Sequence, residues 1–271
     1  ESSGSTSVAE TGTTDTFTVV LNAQPASDVV FAISSSDTGE ATVTSTLTFT
    51  NGNWDTPQTV TVTGVDDDLI DGTITSTVTV SVVDAASDDN FDTVADQTVT
   101  ATTTDDDVAG FTIAESGGST AVAESGTTDT FTVVLNAQPA SDVVLSISSS
   151  DTGEATVTST LTFTNGNWDT PQTVTVTGVD DSIIDGSISS ALTVAVVDAA
   201  SDDNFDAVAD QTVTATTTDD DVAGFTIAES GGSTAVAESG TTDTFTVVLN
   251  AQPASDVVLS ISSSDTGEAT V

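Results

Sequence analysis

The segment TTDTFTVVLNAQPASDVV at residues 13–30 contains a clear strand pattern. It returns unchanged at residues 127–144 and at residues 241–258, so the repeat period is 114 residues. Apolar and polar residues alternate on both sides of AQPASD, which is a turn signal. Alternation with a period of two is typical of strands with one buried face. The segment therefore predicts a recurring pair of β-strands.

Similarity between the repeats extends far beyond this segment. Residues 109–157 are identical to residues 223–271, and residues 1–114 differ from residues 115–228 at only 13 positions. A period of this length means one folded unit per repeat, and such units are placed in tandem along the chain. We therefore expect near-identical domains.

Three units are predicted. Residues 1–107 form a first repeat that lacks its first strand, residues 108–221 form a complete repeat, and residues 222–271 form the N-terminal part of a third. Since a part of a repeat cannot bury a complete core, we expect a window of a longer array. The alternative is a chain whose incomplete ends complement one another between molecules.

The complete repeat has about seven short alternating runs separated by turn residues, and it has no helical period. With an opening strand around Phe111, this pattern predicts an all-β fold, a seven-stranded immunoglobulin-like antiparallel sandwich in each repeat. Trp54 and Trp168 are expected to pack at the core or edge, with sugar stacking as the alternative. The residues predicted to face the core are Phe131, Val133, Leu135, Val143, Leu145, Ile147, Leu161, Phe163, Val174, Val176, Leu192, Val194, Val196, Val213 and Ala215.

The composition limits the chemistry of the chain. It has 43 Asp and Glu residues and no Lys, Arg, His or Cys, so its formal charge is −43. Without cationic side chains it offers no surface for nucleic acid or anionic membranes. Without His or Cys it offers no ordinary zinc site and no Ser-His or Cys-His nucleophile. Carboxylate and carbonyl oxygens remain, and these are the ligands of calcium.

The carboxylates are clustered. In the second repeat Glu124 precedes a strand, Asp180 and Asp181 with Asp185 follow a later strand, and the triplet 219–221 follows the last one. Adjacent carboxylates repel each other, and no side chain of the chain can neutralise them. Loops at one end of a sandwich can meet, so we expect a calcium site there. The alternative is a solvated acidic surface.

These residues carry a family resemblance. The pattern V-x-E, an L-x-F strand, a V-x-V strand into DDxxxDG and a terminal DDD-x-AG resembles the Calx-β domain, and LTFTNGNWDTPQTVTVTGVDDD resembles tandem repeats of giant bacterial extracellular proteins. The resemblance covers each 114-residue unit. It implies tandem Calx-β-like sandwiches with Ca²⁺ ligands at one tip, near the junction with the next domain.

Carried over position by position, the resemblance gives a set of metal ligands. Asp71 and Asp185 stand where the family usually has glutamates. The family's Asp-Tyr is missing, although Asp37 and Asp151 lie nearby in SSSDTGE. Asp68 is replaced by serine in the second repeat, so its side chain is not required. The implied ligands are Glu10, Asp66, Asp67, Asp71, Asp105, Asp106, Asp107, Glu124, Asp180, Asp181, Asp185, Asp219, Asp220, Asp221 and Glu238.

The functional hypothesis is a structural segment of a long extracellular fibre or adhesin stalk. Its partners would be neighbouring repeats or identical chains in a filament, with Ca²⁺ at each junction providing rigidity. An adhesin array for carbohydrate, a surface or ice is the alternative. A halophile's acidic surface would also explain the charge, and it predicts stabilisation by monovalent salt. An active site copied in every repeat without a cleft is not expected, so we predict that the chain is not an enzyme.

Overall fold

A computed structural model describes residues 4–271, and its regular structure consists of β-strands and short 3-10 turns. Residues 1–3, which the first predicted repeat includes, lie outside this range. No helix within residues 4–271 is long and apolar enough to cross a membrane. The 3-10 turns are Asp84–Ala86, Ser116–Gly118, Asp198–Ala200, Asp203–Phe205 and Ser230–Gly232.

The first repeat contains eight strands in the described range. In chain order they are β1 (Thr6–Ala9), β2 (Thr14–Val19), β3 (Val29–Ser35), β4 (Ala41–Val43), β5 (Thr46–Phe49), β6 (Gln58–Gly64), β7 (Ile74–Val82) and β8 (Gln97–Thr104).

The second repeat contains nine strands, and two more follow in the third. They are β9 (Phe111–Glu115), β10 (Thr120–Ala123), β11 (Thr128–Leu135), β12 (Val143–Ser149), β13 (Ala155–Val157), β14 (Thr160–Phe163), β15 (Gln172–Gly178), β16 (Ser187–Val196), β17 (Gln211–Thr218), β18 (Phe225–Glu229) and β19 (Phe245–Leu249).

Two sheets enclose the core of the second repeat. Their strand orders are β13-β15-β11-β9 and β10-β17-β16-β12-β14. Inward residues of both sheets, such as Phe131 and Leu192, are fully buried in one cluster, as their alternation predicted. Trp168 is partly buried against this cluster, and Trp54 has the same position in the first repeat.

The prediction of seven antiparallel strands is wrong in two respects. The repeat has nine strands, because β10 and β13, with four and three residues, are too short to show an alternation. In addition, β10 pairs with β17 in parallel, with Thr120 opposite Ala215. This parallel pair brings the C-terminal ends of two strands that are distant in sequence to the same end of the repeat.

The first repeat has the same arrangement except along one edge. Its sheets are β2-β6-β4 and β1-β8-β7-β3-β5. In the second repeat β9 pairs with the outer edge of β11, from Phe111 opposite Leu135 to Glu115 opposite Phe131. Among the described residues nothing pairs with the corresponding edge of β2.

A loop of the first repeat contacts the second repeat, and the equivalent loop of the second repeat contacts the third. Between β6 and β7, the backbone of Leu69 bridges to Gln138 of the second repeat. The side chain of Ile70 packs against the second core, and Asn204 Nδ2 donates to the Ile70 carbonyl at 3.2 Å. Ile183 and Gln252 repeat the bridge between the second and third repeats. The junctions are therefore direct contacts between loops and neighbouring repeats.

We predict that Phe163→Ala lowers the free energy of unfolding of the second repeat by about 3–5 kcal/mol. Phe163 is fully buried, so its removal leaves a cavity between the two sheets. Urea denaturation measures the change. Val222→Ala, at a residue that is 75% exposed, is the control and should change stability by less than about 0.5 kcal/mol. Equal effects of the two substitutions would contradict the described core.

Candidate metal centre

Four chain segments bring carboxylates to one end of the second repeat. Glu124 follows the short parallel strand β10, and Glu154 directly precedes β13. Asp185 lies in the loop between β15 and β16, and the triplet 219–221 follows β17. The shared end of β10 and β17 places these segments together. The first repeat places Glu10, Glu40, Asp71 and the triplet 105–107 in the same way.

The carboxylates form two adjacent groups that share one glutamate. One oxygen each from Glu124, Asp219 and Asp221 lie within 4.8 Å of one another, and so do oxygens of Glu124, Glu154 and Asp185. Both groups recur in the first repeat, where the carboxylate oxygens of each group also lie within 4.8 Å of one another. There the groups are Glu10 with Asp105 and Asp107, and Glu10 with Glu40 and Asp71.

The glutamates of these groups are buried and incompletely bonded. Glu124 is 1% exposed and Glu154 is 7% exposed. Their Oε2 atoms and Asp221 Oδ2 are buried without a hydrogen-bond partner among the described residues. An unpaired buried carboxylate carries a large desolvation cost. A cation that accepts these oxygens as ligands would remove that cost, so the donor set fits a hard divalent ion.

Backbone donors hold the segments in place. Asp219 Oδ2 accepts from the amides of Asp185 and Gly186, at 3.1 and 2.9 Å, and its Oδ1 accepts from the Asp221 amide at 2.7 Å. Thr217 Oγ1 donates to the Glu154 carbonyl at 3.3 Å. Asp219 therefore connects the loop after β15 to the end of β17, while the oxygens of its neighbours remain available.

A glycine permits the close packing behind the site. A Cβ on Gly178, the last residue of β15, would lie 2.1 Å from the Ala123 carbonyl oxygen, directly before Glu124. Gly64 has the same relation to Ala9 in the first repeat, at 2.0 Å. Any side chain at these positions would push away the strand that delivers the shared glutamate.

The electrostatics of the site favour protonation in the absence of a cation. Burial first, and then the charge of Asp219 and other nearby carboxylates, raises the pKa of Glu124 to about 7. Burial and Asp105 raise the pKa of Glu10 to about 7 in the same way. The pKa of Asp219 is lowered, because backbone amides bond to its charged form. One carboxylate of the site is thus held charged while its buried neighbour resists ionisation.

The structure gathers some of the sequence-predicted ligands and leaves others outside the two groups. Asp66, Asp106, Asp180 and Asp220 have exposed side chains, and Glu238 lies exposed in the third repeat. Asp67 Oδ1 and Asp181 Oδ1 accept backbone amides within their own loops. The predicted ligands within the groups are Glu10, Asp71, Asp105, Asp107, Glu124, Asp185, Asp219 and Asp221.

Sequence reasoning missed Glu40 and Glu154. The segment SSSDTGE drew attention to Asp37 and Asp151, but Asp151 Oδ1 accepts the Gly153 amide within its own turn. The glutamate three residues later enters the site instead. No local pattern marks Glu154, because the strand Ala155–Val157 that follows it has only three residues.

No protein-family model matches the chain, and no curated protein matches it. Among solved structures, the calcium binding domain CBD12 of CALX1.1 is 15% identical with a TM-score of 0.30, covering 72% of this chain and 78% of that chain. Domains 4 and 5 of the S-layer protein SbsC are 19% identical with a TM-score of 0.34, covering 69% and 70%. The apo-form Calx CBD1 domain is 15% identical with a TM-score of 0.31, covering 41% and 98%.

We predict that the chain in chelator loses stability as the pH rises. The raised pKa of Glu10 and Glu124 contributes stability that is complete below about pH 4.5 and is lost as the pH passes about 7. Groups with lowered pKa are already ionised in this window. Thermal melts at about pH 5 and about pH 8 should therefore give a lower melting temperature at the higher pH.

A pair of matched double variants tests the origin of this pH dependence. Glu10→Gln with Glu124→Gln should reduce it, because glutamine is neutral at both pH values. Asp96→Asn with Asp210→Asn changes exposed carboxylates next to the opposite ends of β8 and β17 and should leave it intact. A decline in stability that is the same in all three proteins would contradict the assignment.

Proposed function

We propose that the chain is a calcium-binding structural segment of a long extracellular fibre or adhesin stalk. The observation that carries this proposal is the shared buried glutamate of the first and second repeats, Glu10 or Glu124, whose second oxygen has no donor among the described residues. Two carboxylate groups meet at this glutamate. In the complete repeat, Asp219 and Asp221 would hold one ion, and Glu154 and Asp185 would hold a second.

Calcium fits this donor set better than other ions do. All the side chains of the two groups offer oxygen, whereas zinc and copper prefer nitrogen or sulfur ligands. Calcium accepts six to eight oxygens in variable geometry, so carboxylates from four separate segments can serve it together with carbonyls and waters. Magnesium requires near-ideal octahedral geometry and retains its water more strongly.

The site is continuous with the junction to the next repeat. The loop between β6 and β7 provides Asp71 to the site of the first repeat and Ile70 to the core of the second. Its backbone also bonds to Gln138, with Gln138 N donating to the Asp68 carbonyl at 2.6 Å. An ion that orders this loop would therefore stabilise the orientation of two successive repeats, and a row of such repeats would form a stiff fibre.

The partners in this proposal are neighbouring repeats of the same chain or identical chains in a filament, outside the cell. Calcium is abundant there. The calcium sites of extracellular modules have dissociation constants of roughly 10⁻⁴–10⁻³ M, which is about the concentration of calcium outside the cell. Near-identical repeats also suit a structural role, because each one presents the same faces to its neighbours.

Calcium titration tests the metal site. Calorimetry should detect binding to the chain, and calcium at about 100 times the dissociation constant should stabilise the folded repeats by about 2.7 kcal/mol. Differential scanning calorimetry at matched ionic strength separates this effect from screening. If sodium chloride stabilises the chain as strongly as millimolar calcium does, the charge serves as a halophile's surface and the metal site is refuted.

The acidic triplets offer a matched pair of variants for that titration. Asp107→Asn with Asp221→Asn removes carboxylates that face the shared glutamate, so calcium binding should weaken on the order of tenfold or more. Asp106→Asn with Asp220→Asn removes the same number of charges from exposed neighbours and should preserve most of the affinity. Equal losses would indicate general electrostatic attraction rather than a defined site.

The proposed stiffening is tested separately. The chain contains no native cysteine, so a cysteine introduced into each of the first two repeats can be spin-labelled without interference. We expect a narrow distribution of inter-label distances with calcium and a broader one with chelator. A distribution that does not change when bound calcium is removed would exclude a role for the ion in rigidity.

A further inference from the structure

In the second repeat, an early strand and the last strand run side by side in the same direction. β10 pairs with β17 in parallel over four residue pairs, of which the last is Ala123 opposite Thr218. Two further bonds strengthen the C-terminal end of this pair. The Glu124 amide donates to the Thr218 carbonyl at 3.1 Å, and Thr218 Oγ1 donates to the Val122 carbonyl at 3.3 Å. The pairing therefore extends to the last residue of β17.

The chain enters the repeat along this same strand. At the start of β17, Gln211 Nε2 donates to the carbonyl of Phe111, the first residue of β9. At the end of β17, Thr218 accepts the amide of Glu124, directly after β10. Since β9 precedes β10 in the chain, the entering segment runs beside β17 from its first residue to its last. β9 belongs to one sheet and β10 to the other, with the turn Ser116–Gly118 between them.

This arrangement determines how tension passes through the repeat. A pull on the chain before β9 and after β17 draws the entering segment and β17 in opposite directions along their shared axis. Ladder hydrogen bonds connect neighbouring strands across the strand direction, so this pull loads the bonds of the β10–β17 pair together in shear. An antiparallel hairpin that is pulled apart at one end loses its bonds one after another instead. Bonds that must break together resist a larger force than bonds that break in turn.

The surroundings of β10 hold it in this pair. Val122 is 4% exposed and belongs to the core. The last residue of β15 is a glycine, and a Cβ there would overlap the Ala123 carbonyl, so the β15 backbone packs directly against β10. On the third side, the amides of Ala121 and Ala123 donate to Asp129 Oδ2 and Thr127 Oγ1 at 2.9 and 2.7 Å. A strand of only four residues is thus fixed by contacts on three sides.

The first repeat contains the same pair. β1 pairs with β8 in parallel, with Ala9 opposite Thr104. The Glu10 amide donates to the Thr104 carbonyl at 3.1 Å, and Thr104 Oγ1 donates to the Val8 carbonyl at 3.4 Å. The pair is therefore a feature of the repeat and does not depend on one position in the chain.

We propose that the parallel pair β10–β17 is a mechanical clamp that carries tension along the chain. The inference rests on the proposed function in one respect, since a stalk is pulled along its length, but the clamp consists of protein bonds and needs no ion. The carboxylate groups begin directly after its two strands, at Glu124 and Asp219. An ion held there would join the same two strands and add to the resistance of the clamp.

Single-molecule force spectroscopy on the full chain in chelator tests the clamp. The chain has no native cysteine, so Val108→Cys with Val222→Cys, at equivalent positions that are each 75% exposed, attaches handles on both sides of the second repeat. Ser187→Cys with Val222→Cys instead separates β16 from β17 at the end where Ser187 lies opposite Thr218. The first geometry loads the clamp in shear, and the second opens a hairpin. We expect an unfolding force roughly twofold or more higher in the first geometry, because forced unfolding depends on the barrier that the loaded bonds set.

A matched pair of variants locates the resistance within the repeat. Thr218→Val removes the hydroxyl that donates across the clamp at 3.3 Å, and Thr156→Val removes one that donates to the Thr177 carbonyl between β13 and β15 at 3.4 Å. Both threonines are exposed, so the two substitutions should lower stability in urea by similar amounts. In the first pulling geometry, only Thr218→Val should accelerate forced unfolding, on the order of fivefold for the loss of one hydrogen bond.

Equal unfolding forces in the two pulling geometries overturn the clamp. It is also overturned if Thr218→Val leaves the forced unfolding rate unchanged or if Thr156→Val raises that rate equally. Because chelator is present throughout, none of these outcomes bears on the calcium site, which the calorimetric titration decides. A failure of the clamp and a failure of the metal site are therefore separate results.

Discussion

The structure depends on the burial of carboxylates in a chain that has no cationic side chain. Glu10 and Glu124 are almost completely buried at the ends of short parallel strands, among other acids. In most proteins lysine or arginine would compensate this charge. Here the compensation comes from backbone amides, which reach Asp105 and Asp219 but leave glutamate oxygens unbonded among the described residues. The remaining compensation has to come from a proton or from a bound cation.

The sheet topology places these buried carboxylates next to the junction between repeats. The parallel pairing of β10 with β17 puts Glu124 beside the exit of the last strand, where the chain continues towards the next repeat. The loop after β15 then lies between its own acidic groups and the neighbouring repeat, which it contacts through the backbone of Ile183. A restriction of that loop's conformation therefore affects both the acidic groups and the contact with the next repeat, because the same few residues take part in each.

Much of this could be predicted from the sequence, and the remainder has definite physical reasons. Strands such as β11 and β15 alternate over several residues, so their buried face was predictable. Strands β10 and β13 are too short for a period, and their pairing depends on long-range contacts. The terminal triplets were predictable as a cluster, but only the structure shows that the middle aspartate points to solvent. Glu154 enters the site through the turn before β13, which no local pattern indicates.

Equivalent residues of the two nearly identical repeats differ in their contacts and in their burial. Asn204 Nδ2 donates to the preceding repeat at the Ile70 carbonyl, whereas Asn90 Nδ2, its counterpart, bonds to Asp88 of its own loop. Phe205 and Phe91 differ in burial in the same way. These residues are identical between the repeats, but the segments that lie next to them differ. A repeat of this type is therefore completed by what lies next to it, and its stability includes an interface contribution as well as its own core.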